Sequence, residues 1–173
     1  MHRVCISSTG LYVPSNIITN AELVATFNQF ADLENSAHAA EISAGTRTAI
    51  PHSSVEFIEK ASGIQQRYVV EKSGVLDPTR MRPRLCRRPD TDISLMAEIS
   101  VAAAHDALVR AGKQAKDVDG VICAAANMQR AYPAMAVEIQ TALGINGFGF
   151  DMNVACSSAT FGIEMAVNAV KCG

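Results

Sequence analysis

Residues 148–173, FGFDMNVACSSATFGIEMAVNAVKCG, change their apolar period part-way along, and that change dictates the local architecture. Phe150, Met152 and Val154 alternate with Asp151 and Asn153, the two-residue period of a strand. From Ser157 onward Phe161, Met165 and Ala169 recur at helical spacing, as do Gly162, Ala166 and Val170. A strand that runs straight into a helix leaves a short junction. Cys156 occupies it, between Ala155 and the small residues Ser157, Ser158 and Ala159. A thiol at a helix N-terminus faces unpaired N–H groups and the positive end of the macrodipole. That favours the thiolate and makes a nucleophile, and small neighbours let a substrate carbonyl approach the sulfur. From these residues alone the alternative is a buried structural thiol, since free cysteine is among the most buried residue types.

The rest of the chain alternates strand and helix patterns, which argues for a right-handed parallel α/β unit. Residues 3–8 read as a short strand ending at Gly10, and residues 21–30 as a helix capped by Asn20. Residues 31–54 carry no clear period and are long for a structureless loop, which points to an insertion with some helix. Residues 65–72 read as a strand. Residues 73–91 hold three of the six prolines and read as an irregular loop. Residues 94–111 form a strong helical pattern, with Ser94 as cap and Gly112 as stop. Residues 118–125 are an apolar run of buried-strand length. Residues 133–143 read as a helix with Pro133 near its first position and Gly144 after its end.

Composition narrows the function. Of 173 residues, 49% are apolar and 18% charged, as in a globular domain with a sizeable core. The net charge of −2 argues against a general nucleic-acid role. The longest apolar runs fall far short of a membrane span, and the start does not resemble a signal peptide. The cysteines, Cys5, Cys86, Cys123, Cys156 and Cys172, are odd in number and form no CxxC pair. Neither a zinc site nor a disulfide framework follows, and a reducing cytoplasm is the simple expectation.

Asp151-Met-Asn-Val-Ala-Cys-Ser-Ser158 resembles the active-site cysteine segment of thiolase-superfamily condensing enzymes, most nearly that of 3-oxoacyl-[acyl-carrier-protein] synthase III. Other segments match in order: Gly10 to Pro14 and Asn20 to Leu23; Phe57 to Ile64 with Arg67 and Tyr68; Asp117 to Ile122; Tyr132 to Gly144. The resemblance implies an α/β, thiolate-nucleophile enzyme of thiolase-like fold. Residues 1–173 would form the first, N-terminal half of a five-layer αβαβα architecture, with 31–54 and 73–91 as insertions or loops. It implies decarboxylative Claisen condensation of an acyl-CoA with a malonyl-acyl carrier protein, through an acyl-enzyme on Cys156. Tyr132 matches the position that reaches across a dimer interface toward the partner's acyl pocket. Phe57 matches a Trp that stacks near the coenzyme A adenine. Both are expected substrate-binding residues, although Tyr132 also reads as an ordinary half-buried tyrosine. Ala61 stands where the family often has an Arg for the coenzyme, which removes a phosphate contact.

The same resemblance implies a homodimer with no cofactor beyond the coenzyme A thioester substrate, and the composition adds the expectation of a cytoplasmic protein with no metal, nucleic acid or membrane partner. The His and Asn that complete such a site are expected outside this chain, because His2, His38, His52 and His105 lie in no matching motif. Arg80, Arg82, Arg84, Arg87 and Arg88 form a basic run that reads either as an anion or carrier-protein site or as an intramolecular anchor. Three alternatives stay open: a hydroxymethylglutaryl-CoA-synthase-like or ketone-forming relative, a non-catalytic partner subunit, and an acyl-CoA binding module.

Overall fold

Thr19 decides where the first helix begins. It is followed three residues later by Glu22, and in the computed structural model, which describes residues 3–89 and 91–173, the two side chains cap each other's backbone. The Glu22 amide donates to Thr19 Oγ1 at 3.3 Å and the Thr19 amide donates to Glu22 Oε2 at 2.9 Å. The helix therefore starts one residue before the expected one and runs further, over Asn20–Ala37. Asn20 is its first residue, not its cap. The Asn20 side chain is buried and spans the gap to the next elements: its amide donates to the Ile64 carbonyl, and its oxygen accepts from Arg67.

Two compact units make up the chain. In the unit Val13–Arg87, strand β1 (Asn16–Thr19) leads into α1 (Asn20–Ala37), α2 (Ala39–Ser43), α3 (Val55–Ser62) and β2 (Gln66–Val69). β1 pairs antiparallel with β2, with Asn16 opposite Val69 and Thr19 opposite Gln66. This pair departs from the parallel arrangement expected throughout. Only the short α3–β2 turn, with Gly63 at φ 70°, lies between α3 and the returning strand. Ser54 caps α3 by accepting the Phe57 amide. The loop after β2 is organised by Glu71, whose carboxylate accepts the amides of Ser73, Gly74 and Arg84 and the Ser73 hydroxyl.

The second unit holds α4 (Leu95–Ala111), β3 (Gly120–Ala124), α5 (Met135–Leu143), β4 (Phe148–Met152) and α6 (Ser158–Cys172). β3 and β4 pair in parallel, Cys123 opposite Asp151 and Ala124 opposite Met152, so β3–α5–β4 is the expected parallel crossover. Ala97, Cys123, Met135, Ala136 and Ile139 form the core between α4, α5 and the two strands. α6 lies against β3 through Gly162, where an added Cβ would stand 3.0 Å from that of Ala124. Two expectations are corrected here. α5 begins at Met135 and not at Pro133, because Asp151 from β4 accepts the amides of Met135 and Ala136 at 2.8 Å each and so caps it from outside. Residues 3–8 form no strand; this stretch is held to α4 by side chains, Ser8 Oγ donating to the Ala107 carbonyl and Asp106 accepting the Leu11 amide.

Candidate active site

The turn between β4 and α6 is built by two polar side chains that satisfy its backbone. Asn153 Oδ1 accepts the Ala155 amide at 3.0 Å, and Asn153 Nδ2 donates to the Ala126 carbonyl at 3.1 Å. Ser158 is 3% exposed; its hydroxyl accepts the Val154 amide at 2.9 Å and donates to the Ala155 carbonyl at 2.7 Å. The Ser157 and Ser158 amides close the turn onto the carbonyls of Val154 and Ala155. Ala155 is thereby held at φ 48°, a left-handed conformation that a residue with a Cβ rarely adopts. Cys156 follows it at the crest of the turn, exposed to solvent.

Among the described residues the amides of Ala159 and Thr160 have no acceptor, and Ser157 supplies no side-chain cap. All five cysteines are free thiols, and only Cys123 is buried. Burial, with the neighbouring Asp151 carboxylate as the smaller cause, pushes the Cys123 thiol above its usual range. Cys123 therefore fits the structural-thiol description that was open for Cys156.

The other expected site residues fall in different places. Tyr132 projects from the loop between β3 and α5 and is 91% exposed, not half-buried. That loop is tied directly to the cysteine turn by the Asn153–Ala126 hydrogen bond. Phe57 lies on α3 in the other unit, 66% exposed, with Ala61 one turn on along the same face. No histidine is hydrogen-bonded at the cysteine turn among the described residues: His38 pairs with Glu34 and Glu41, His52 with Asp32, and His105 is exposed on α4. No group of three or more His, Cys, Asp or Glu comes together among the described residues to hold a metal. Of the basic run, Arg84 pairs with Asp77, Arg80 donates to the Arg82 and Pro83 carbonyls, and Arg88 pairs with Glu98. These three guanidinium groups are intramolecular anchors.

Sequence reading missed Asn153, Ser158 and Asp151 as the residues that shape this turn and its flank. The signal available was a polar side chain at each of these positions inside an otherwise apolar strand–helix pattern.

No protein-family model matches the chain. Beta-ketoacyl-[acyl-carrier-protein] synthase III of Granulibacter bethesdensis is 28% identical over 174 aligned residues, which cover 100% of this chain and 40% of that protein. Beta-ketodecanoyl-[acyl-carrier-protein] synthase of Pseudomonas aeruginosa is 55% identical over 148 residues, 86% of this chain and 42% of that protein. The chain belongs to the 3-oxoacyl-[acyl-carrier-protein] synthase III family. It spans about two fifths of the length of the synthase III relatives it matches. The crystal structure of 3-oxoacyl-[acyl-carrier-protein] synthase III from Aquifex aeolicus superposes with a TM-score of 0.66 at 22% identity, over 97% of this chain and 40% of that one. The priming beta-ketosynthase of the R1128 polyketide pathway gives 0.64 at 23% identity, over 95% and 36%. The α/β fold is thus the first half of the thiolase-like architecture of synthase III.

Proposed function

We propose that this synthase III family member is a condensing acyltransferase that uses Cys156 as its acyl acceptor. The observation that carries the reading is the exposed Cys156 thiol on a turn locked by Asn153 and Ser158 at the start of α6. The Cys156 thiolate attacks the carbonyl of an acyl-CoA, forming the new thioester as coenzyme A leaves as its thiolate and takes a proton from water. The Cys156 amide is a donor for the oxyanion formed on the way, with the helix start behind it. A malonyl thioester on a carrier protein then loses CO₂, and its carbanion attacks the acyl-enzyme. The 3-oxoacyl thioester departs and the Cys156 thiolate is restored. The His and Asn that assist decarboxylation in this family would come from its other half. In this reading no cofactor takes part and the protein works as a cytoplasmic homodimer.

A medium-chain donor is the favoured substrate. The name of the Pseudomonas relative specifies a ten-carbon 3-oxoacyl product, and a condensation that adds two carbons makes that product from an eight-carbon donor. Tyr132 would stand at the end of the partner subunit's acyl channel, and the Phe57 ring on α3 would offer the coenzyme's adenine a smaller stacking face than a Trp. With Ala61 beside it, no guanidinium on that face meets the coenzyme phosphates.

Incubating the intact protein with octanoyl-CoA and mapping the adduct by mass spectrometry tests the nucleophile. Acyl label is expected on Cys156 and its loss in Cys156→Ala, with the fold retained. Label on Cys123 or Cys172 and none on Cys156 would sink the assignment.

A further inference from the structure

The loop of residues 125–134 carries Tyr132 and is fastened along its length. At its start Asn153 holds the Ala126 carbonyl. In its middle the Gln129 side-chain oxygen accepts the Met96 amide at 2.9 Å. Arg130 Nη2 then donates to both carboxylate oxygens of Glu138, at 2.9 Å each. Past its end Asp151 caps α5.

Glu138 is the hub of this arrangement. Its carboxylate also accepts the Ser94 amide at 2.5 Å and the Ser94 hydroxyl at 2.8 Å, and the side chain is 14% exposed. A largely buried carboxylate with charge-assisted bonds on both oxygens has a single low-energy position. Arg130 cannot leave it without stranding part of that charge. Tyr132 lies two residues further on and makes no such contact itself among the described residues: the loop is anchored while its aromatic ring is left outward.

We propose that Arg130, held by Glu138, is a positioning residue that fixes Tyr132 and thereby sets the length of acyl chain accepted; this rests on the reading of Tyr132 as the end of the acyl channel. Neither Arg130 nor Glu138 touches substrate. Their effect is on where the tyrosine ring stands, and so on selectivity more than on turnover.

The test is the ratio of kcat/KM for dodecanoyl-CoA over octanoyl-CoA in the intact protein. Both donors are assayed on one preparation, so a loss of folded enzyme cancels. Tyr132→Gly is expected to raise the ratio several-fold. Arg130→Met should move it in the same direction, and Arg130→Lys, which keeps a charge within reach of Glu138, should restore most of it. On the Tyr132→Gly background Arg130→Met should add nothing further, because its effect passes through the missing ring. A shift in Tyr132→Gly with none in Arg130→Met overturns the clamp and leaves the channel reading intact. Additive shifts in the double variant also overturn it, since Arg130 would then act independently. A flat profile in Tyr132→Gly removes the channel reading and the clamp with it.

Discussion

Ala155 occupies a left-handed conformation beside Cys156 that costs a residue with a Cβ about 1–2 kcal/mol. Its side chain is exposed, so no packing offsets that cost. The compensation comes from Asn153 and Ser158, which pin the turn from both sides. Strain of this kind is retained where it presents a group, and here the next residue is the thiol. Ala155→Gly should relieve the strain while adding about 0.4–1 kcal/mol of unfolded-state entropy. The net expectation is a small gain, a rise of a few degrees in the thermal midpoint, together with slower acylation of Cys156. Unchanged acylation alongside higher stability would mean that the strain presents nothing. Cys123 offers the contrast at the same scale: its thiol is 7% exposed and held protonated by burial, so iodoacetamide at neutral pH should spare it while modifying Cys156.

At the scale of elements, the helices with local punctuation were legible. α4 and α5 stop at Gly112 and Gly144, both left-handed, and α4 starts at the Ser94 cap. The β4–α6 junction was legible because the period changes from two to helical within a few residues. What failed were features set by tertiary partners. The start of α5 depends on Asp151, sixteen residues later on another element. The stretch 3–8 has a strand's pattern and pairs with no strand among the described residues, and β1 is visible only once β2 returns to pair with it. In the site, the position of Cys156 could be read locally, but the Glu138 hub joins residues that sequence patterns leave unrelated. The loop after β2 shows a similar non-local logic, and it is open to titration. The Ser73 hydroxyl first, then the Arg84 amide, hold the Glu71 carboxyl down at about 2, against an ordinary 4.5. A carboxylate depressed in the folded state contributes stability that is present above the ordinary value and lost as pH falls through the depressed one. The thermal midpoint should therefore drop between pH 4.5 and 2. Glu71→Gln should start lower at pH 6 and fall less steeply through that window, and parallel curves would show that Glu71 is not the group responsible. Glu22, held at about 2 chiefly by Lys72, titrates in the same window and contributes to the slope that remains, together with Glu56, Asp77 and Asp106, whose carboxyls are also lowered.

At the scale of the molecule, two surfaces of the second unit await cover. α6 exposes Phe161, Ile163, Met165 and Val170, and an open apolar trough of about 1110 Å³ runs between α4, β3 and α6. β4 pairs with β3 on one side only among the described residues. The two surfaces call for different partners. An apolar helical face needs another packed layer, which the second half of a thiolase-like fold supplies. An unpaired strand edge needs another strand, and the edge immediately before Cys156 is where the resemblance places the second subunit. The resemblance also sends each Tyr132, which is exposed, toward the neighbouring copy. We therefore expect the intact protein to be a homodimer by light scattering at micromolar concentration, with the chain-length preference lost on dilution below the dimer's dissociation range. A monomer mass throughout would overturn the dimer. A dimer whose dilution changes total activity but leaves the donor profile fixed would show that Tyr132 lines its own subunit's channel, because a residue contributed across the interface must leave the pocket when the partner does.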